Sequence, residues 1–348
     1  MAKMSESRPE SAADASNVTP AAGPRISVLA PAPLVVVEIT DDPGGDGGDA
    51  KPTIHMHPGG QGAWVASMAA ALGANVSICA PLGGELGEPL RHLLIADGIT
   101  VMDVGVGAGT GAAVVDLRSG ERVEVATMPP PPLDRHDLDD LYGMALVDAL
   151  ESKAAVITGV DPPELVPPDF FGRLVADVRT ARIPVVADVA GDAALAVIAE
   201  APTVLKMSHE EVLAAGLAEH DDLATLRAAA EALVERGITA VVISRADKPA
   251  LLVTANGARL VSSPAIRPVV HRGAGDSMTA GIAVGLARGL DIEDALRLGA
   301  AAGTLNVARR GLGSGRREQI ERFADKIEVT DAGDTDADAG DTDTERSV

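Results

Sequence analysis

Apolar residues change period along this chain, and the changes separate strands from helices. RISVLA from Arg25 and LVVVEIT from Leu34 are short, mostly β-branched runs divided by Pro31 and Pro33, and both read as strands. TIHMH, another strand pattern, runs into Gly59-Gly60-Gln61-Gly62; Val65, Met68, Ala69 and Leu72 then recur at helical spacing until Gly73 caps the end. ANVSICAPLGGELGEPLRHLLIADGITV reads strand, glycine loop, helix, strand, the unit of a parallel sheet. The alternation between Val101 and Val125, with a Ser119-Gly120 turn, predicts a hairpin. The GAGTG run inside that stretch has strands on both sides and no following helix, which disfavours a dinucleotide loop. From Asp134 onward helix and strand alternate: a helix to Leu150, AAVITG, PPDFFGRLVADVRTA, IPVVADVA, a helix, TVLKMS, LATLRAAAEALVERG and ITAVVISRADKPALLVT. Repeated βα units imply right-handed crossovers and a mainly parallel sheet with helices on both faces, so functional groups are expected at the carboxyl ends of its strands.

Other stretches have no period. Residues 1–24 are Ser, Ala, Pro and charge and are expected to be disordered, as is an acidic tail from Val329 carrying Asp331, Asp334, Asp336, Asp338, Asp341 and Asp343. Asp41 to Ala50 reads as a solvated Gly/Asp loop. The one folded unit expected between the tails has ample material for a core, with 46% hydrophobic residues in 348, but aromatics are only 1%, so the core must be Ala, Val, Leu and Ile. A net charge of -22 argues against nucleic acid as the main partner while leaving a local nucleotide site open. Cys79 is the single cysteine and cannot form an internal disulfide, which fits a reducing cytoplasm. No apolar run approaches a membrane span and the N-terminal residues lack a signal-peptide core, so a cytoplasmic protein with no membrane partner is expected.

The stretch with most chemistry is HRGAGDSMTAGIAVGLARG, His271 to Gly289. Gly273-Ala274-Gly275 leads into a helical pattern with Asp276 in its first turn. Glycines let the backbone approach a ligand, and the free N–H groups of a helix start suit a phosphate. A carboxylate beside such an anion cradle suits phosphoryl transfer, in which charge on the moving group is stabilised and a proton is taken from the attacking hydroxyl. On the residues alone Asp276 is equally well a helix cap after a glycine turn.

GAGDSMTAG near the end of an α/β chain resembles the signature of the ribokinase-like (PfkB) carbohydrate kinases, nearest their phosphofructokinase and tagatose-6-phosphate kinase branch. The resemblance implies a three-layer α/β/α fold over residues 25–328, with a small β lid from strands near residues 34–57 and 99–127. It implies Mg²⁺-assisted transfer from ATP to a hydroxyl of a sugar or sugar phosphate, with Asp276 as general base and Gly273, Ala274 and Gly275 as anion hole. HPGGQGAWVA resembles the family's N-terminal glycine motif, so Gly59, Gly60, Gln61, Trp64 and His57 are candidates for binding the acceptor. KMSHEEV resembles the segment that organises metal and nucleotide phosphates, giving Lys206 and Ser208 to the nucleotide and Glu211 to Mg²⁺ through water. Ser244 and Arg245 in SRADK, and Asn306 and Gly311 after the second C-terminal helix, complete the nucleotide candidates. Asp188 matches the family's strand-ending Asp, and its reading stays open between a loop cap and a direct ligand. Homodimerisation is compatible with the resemblance.

The chain also departs from the family pattern. Trp64 stands where Asn is usual, Gln61 where the branch carries a phosphate-binding Lys, Met207 and Ser208 replace Pro and Asn, and Ala246 replaces a Gly. LAPAPLVVV holds no carboxylate where the family has an Asp near the end of its first strand. A less polar and less cationic acceptor pocket is therefore expected, with poor activity on fructose 6-phosphate and fructose 1-phosphate. Ser208 and Glu211 also form an SxxE capping box, and Arg245 reads equally as an exposed hairpin residue. A non-catalytic sugar or nucleotide sensor on the same fold remains an alternative, and a dinucleotide oxidoreductase a weaker one.

Overall fold

The computed structural model describes residues 23–42, 51–107, 109–266, 272–308 and 313–333. In chain order the first half holds β1 (Arg25–Leu29), β2 (Leu34–Asp42), β3 (Lys51–Gly59), α1 (Gln61–Ala71), β4 (Asn75–Leu82), α2 (Gly84–Ala96), β5 (Thr100–Gly105), β6 (Gly111–Asp116), β7 (Val123–Met128) and α3 (Arg135–Leu150). The βα alternation continues through β8 (Ala154–Thr158), α4 (Pro168–Thr180), β9 (Val185–Asp188), α5 (Gly191–Ala199), β10 (Val204–Ser208), α6 (His209–Ala214), α7 (Leu223–Glu235) and β11 (Ala240–Arg245). It closes with β12 (Lys248–Thr254), β13 (Gly257–Ser262), α8 (Ala274–Ala287), α9 (Ile292–Val307), α10 (Arg317–Ala324) and β14 (Glu328–Asp331).

Among these residues the strands form a ten-stranded sheet, β14-β13-β12-β11-β10-β9-β8-β1-β4-β5, and a four-stranded sheet, β3-β2-β6-β7. From β11 to β5 every neighbouring pair in the large sheet is parallel. The far edge is antiparallel, because β11 to β14 are joined by short turns and a final return. This is the expected α/β ribokinase-like fold, with the small sheet as its lid. Two expected boundaries shift. Thr100–Gly105 pairs with β4 in the large sheet, so the lid takes only β6 and β7 from the stretch after residue 99. Order also continues past residue 328, since β14 pairs with β13 from Glu328 to Asp331.

Alternation along β1 shows how the layers are built. Ile26 and Val28 face the cluster that buries Met68, Leu72, Leu90, Leu94, Ile282 and Leu298. Leu29 faces the opposite cluster, with Leu141, Phe170, Phe171, Leu174, Val197 and Leu226. Small residues do the close packing that aromatics cannot. A Cβ on Gly281 would stand 2.5 Å from the Gly299 Cα, and one on Gly303 would stand 2.7 Å from the Ala274 carbonyl oxygen, so α8 and α9 touch backbone to backbone and the start of α8 is fixed. At the amino end of the sheet, the buried Asp148 carboxylate of α3 accepts hydrogen bonds from the Arg25 guanidinium at 2.6 Å and the Ser77 hydroxyl at 2.5 Å, tying α3 to β1 and β4. Burial pushes the neighbouring Cys79 thiol up, so it stays protonated. The chain order reverses between β8 and β1, which opens a crevice at their carboxyl ends.

Candidate active site

Two helix starts converge on that crevice. Gly273 is the N-cap of α8 in a left-handed conformation, φ 78°, that glycine adopts without penalty, and no side chain caps the helix. The first-turn N–H groups of Ala274, Gly275 and Asp276 therefore have no intrahelical acceptor, and the helix dipole adds positive potential there. Asp276 is partly buried. Burial raises its carboxyl to about 7, with the negative charges of Asp188 and Glu211 acting in the same direction and Lys206 and Arg272 opposing them. A carboxyl balanced near neutrality is suited to take and return a proton.

Lys206, in β10, supplies the nearest buried positive charge. Its Nζ lies 3.1 Å from each oxygen of Asp188, and only 2.8 Å from where a Cβ on Gly275 would be. Burial disfavours the ammonium, but Asp188, Glu211 and Asp276 together outweigh that and hold the Lys206 pKa above its ordinary value. Asp188 in turn accepts a 2.6 Å hydrogen bond from the hydroxyl of Thr279, which also reaches the Gly275 carbonyl at 3.1 Å. At the start of α1, Gln61 donates to the Asp188 carbonyl at 3.2 Å and accepts from the Gly159 N–H at 3.0 Å. Its amide thus braces the ends of β8 and β9.

Next to Lys206 the other nucleotide candidates line the ends of two strands. Ser208 and Ser244 are register partners across β10 and β11. Ser208 is the N-cap of α6: its Oγ accepts from the Glu211 N–H at 3.2 Å while Glu211 Oε2 accepts from the Ser208 N–H at 2.7 Å. The capping box is thus real, and Glu211 still acts electrostatically on both Asp276 and Lys206. Arg245, at the end of β11, is 3% exposed, so the exposed-hairpin reading of this residue is corrected. Asn306 is buried; it donates to the Arg272 carbonyl at 3.0 Å and accepts from the Gly313 N–H at 3.0 Å, so it fastens the segment before α8 to the segment after α9. Gly311 lies outside the described residues.

The acceptor candidates fall into two groups. Gly59 and Gly60 are glycines for close approach: a Cβ on Gly59 would meet Val36 at 2.4 Å, and one on Gly60, φ 91°, would meet the Ala32 carbonyl oxygen at 2.7 Å. Trp64 and His57 instead line a cleft of about 470 Å³ between the lid and the flank of α1, with Glu38, Ser67, Asp97 and Gly313. Asp276 is not part of its wall. His57 faces Glu38 at 3.5 Å; that contact, working against burial, raises the imidazole pKa and lowers that of the carboxylate. Arg122 in the lid also reaches Glu38, at 3.4 Å. Burial lowers the Arg122 pKa and so does Arg272, which places the two guanidinium groups within electrostatic reach of each other.

The profile of the pfkB family carbohydrate kinases matches residues 34–319. The chain belongs to this family. It is 32% identical over 288 residues to the ATP-dependent 6-phosphofructokinase isozyme 2 of Mycobacterium tuberculosis, covering 79% of this chain and 82% of that one. Against the 1-phosphofructokinase of Bacillus subtilis it is 25% identical over 277 residues, covering 79% and 88%. Phosphofructokinase-2 from Escherichia coli in complex with fructose-6-phosphate superposes with a TM-score of 0.73 at 25% identity, over 87% of this chain and 98% of that one.

As a pfkB-family carbohydrate kinase the protein is a phosphotransferase, and its candidate residues gather unevenly. Asp276, Gly273, Ala274, Gly275, Lys206 and Glu211 share one electrostatic neighbourhood. Gln61 joins it through Asp188, whereas Trp64 and His57 look onto the lid cleft. Reading the sequence missed Thr279, Arg122 and Arg272. Thr279 sits one turn after Gly275 on the strongest motif in the chain, which was the signal available for it. Arg272 adjoins the same motif, but Arg122 had no such signal, because its approach to Arg272 depends on how the lid meets the start of α8. No described helix is long and apolar enough to cross a membrane.

Proposed function

We propose that this kinase transfers the terminal phosphoryl group of ATP to a hydroxyl of a sugar phosphate, with an unphosphorylated sugar as the poorer acceptor. The observation that carries the reading is the Asp276 carboxyl poised near pH 7 in the same helix turn as the uncapped N–H groups. Asp276 takes the proton of the acceptor hydroxyl as its oxygen bonds to phosphorus; the bond from phosphorus to the bridging oxygen breaks, and ADP departs with that electron pair. The N–H groups of Gly273 to Asp276 and the Lys206 ammonium offset charge on the transferring group. Lid strands β2, β3, β6 and β7 would keep water from competing with the acceptor.

Mg²⁺ supplies charge neutralisation on the nucleotide phosphates. The residues fit a weakly anchored ion: among the described residues no three ligand-type side chains cluster, and the Glu211 carboxylate, with one oxygen given to its cap, suits a contact through water.

A phosphorylated acceptor is favoured because Arg122 and Arg272 bring cationic charge to the lid side of the site, offsetting the absence of a Lys at position 61. The relatives named phosphofructokinases support the same class. The test is ADP release with ATP and Mg²⁺ across fructose 6-phosphate, fructose 1-phosphate, tagatose 6-phosphate and their unphosphorylated sugars. A phosphorylated sugar should exceed its parent sugar in kcat/KM, and a value of about 10⁴ M⁻¹s⁻¹ or more on either fructose phosphate would overturn the expectation that the missing Lys weakens those two acceptors. Absence of ADP release with every acceptor would reject the proposal.

A further inference from the structure

Asp188 is 1% exposed, and its two oxygens are already engaged with Lys206 Nζ and the Thr279 hydroxyl. Its carboxylate is thus already paired inside the protein with side chains rather than with a loop backbone. Thr279 is fully buried and stands one helical turn after Gly275, close enough for its hydroxyl to contact the Gly275 carbonyl as well as Asp188. The hydroxyl has one proton: the 2.6 Å contact to the carboxylate is the stronger claim on it, and the 3.1 Å contact to the carbonyl the weaker. Lys206 Nζ rests against the same Gly275 backbone, in the space that any side chain there would fill.

The geometry points to a positioning relay in which Thr279 orients Asp188, Asp188 orients and charges Lys206, and Lys206 forms a side-chain arm of the anion hole beside the Gly275 N–H. This rests on the proposed phosphotransfer at Asp276 and deepens it: Thr279 and Asp188 act through Lys206 and never touch substrate. The arrangement has a clear physical logic. A long, flexible ammonium loses much of its value if it must be ordered at each turnover, and a buried carboxylate holding it in place removes that cost in advance. The carboxylate would itself swing between rotamers unless a second donor fixed it, and Thr279, on the rigid helix that also carries Asp276, does so. Gly275 is then required for two reasons at once, the approach of phosphate and the room for Nζ.

Two substitutions at one position separate positioning from packing. Thr279→Val keeps the shape and loses the hydroxyl; Thr279→Ser keeps the hydroxyl and opens a small cavity. The relay predicts that Thr279→Val lowers kcat about tenfold, the scale of one hydrogen bond to a charged group, with acceptor KM unchanged. Thr279→Ser should stay within about twofold of wild-type kcat despite a lower Tm. Lys206→Met should lower kcat by about 10²–10³-fold, the scale of one lost oxyanion donor, and in that background Thr279→Val should cost less than about twofold more. If the activities of the two Thr279 variants follow their stabilities, or if the Thr279→Val loss persists in full beside Lys206→Met, the relay is wrong. Asp276→Asn run alongside keeps the two proposals distinct: unchanged turnover there overturns the base, whereas loss there together with an additive Thr279 effect overturns the relay alone.

Discussion

Replacing Asp276 with Asn should move stability and activity in opposite directions, and the size of the first effect can be worked from the carboxyl's environment. Burial and two neighbouring carboxylates hold this group near 7, against 3.8 in an unfolded chain. The folded protein therefore keeps the proton to higher pH than the unfolded chain does. The associated stability is present in full below about pH 4, falls as pH rises, and is gone above pH 7, where the folded state must carry an unwelcome charge. A shift of about three units corresponds to at most about 4 kcal/mol at 1.36 kcal/mol per unit, and partial solvent access reduces that to about 2 kcal/mol. Asn carries no charge to bury, so Asp276→Asn should be more stable than wild type by about that amount at pH 8, a Tm gain of roughly 3 °C for a folded unit of this size. The gain should largely vanish near pH 4. Lys206 loses one of the carboxylates that favour its charge, but its hydrogen-bonded partner Asp188 remains. At pH 8, where the wild-type carboxylate is ionised, kcat should be lower by about 10²–10⁴. Calorimetric melts at the two pH values, with ADP release measured at pH 8, test both halves. A variant no more stable than wild type at pH 8, or equally stabilised at pH 4, would refute the reasoning.

Gly275→Ala puts a Cβ 2.8 Å from a lysine that cannot retreat without leaving Asp188, so kcat should fall about 10–100-fold while melting stays cooperative; near-normal turnover would show that Nζ has room to move. Arg122→Gln should raise KM for a phosphorylated acceptor about tenfold and leave an unphosphorylated sugar unaffected, as read by steady-state ADP release; equal effects on both would remove the arginine from the acceptor's phosphate. Asp148→Ala takes one carboxylate from Arg25, which keeps Glu151 at 2.9 Å, and leaves the buried Ser77 hydroxyl only its 3.4 Å contact to the Ile26 carbonyl. It should cost about 2 kcal/mol by denaturant melts, a value reduced from that of a fully buried pair because Arg25 is partly in solvent, with kcat unchanged.

The order of strands and helices was legible because the apolar period changes locally at each boundary, and the GAGD turn was legible because its glycines, its Asp and its helix are contiguous. The capping box at Ser208 and Glu211 was legible for the same reason. What joins these pieces was not. Lys206 finds its partner 18 positions away and Thr279 finds the same partner 91 positions away, and nothing in either local stretch encodes that meeting. Gln61, a candidate for the acceptor, gives its amide to the ends of β8 and β9, contacts visible only once those strands lie side by side. For β5 the sequence pointed both ways: GITV closed a parallel βαβ unit with β4, yet the stretch from residue 99 was also expected in the lid, and only the pairing with β4 decides between them.

The last described strand has a bearing on how the protein can be handled. β14 is a four-residue acidic ribbon, EVTD, laid along β13 at the open margin of the ten-stranded sheet and held there partly by Arg259 to Asp331 at 2.6 Å. It offers solvent a short, charged rim in place of β13, and short charged rims are poor templates for the strand of another molecule. Chains cut back to Lys326 would leave β13 as the margin, with its backbone N–H and C=O groups facing outward and no acidic fringe. Such shortened protein should gain a tendency to self-associate, detectable by light scattering, even if each molecule retained its catalytic groups intact.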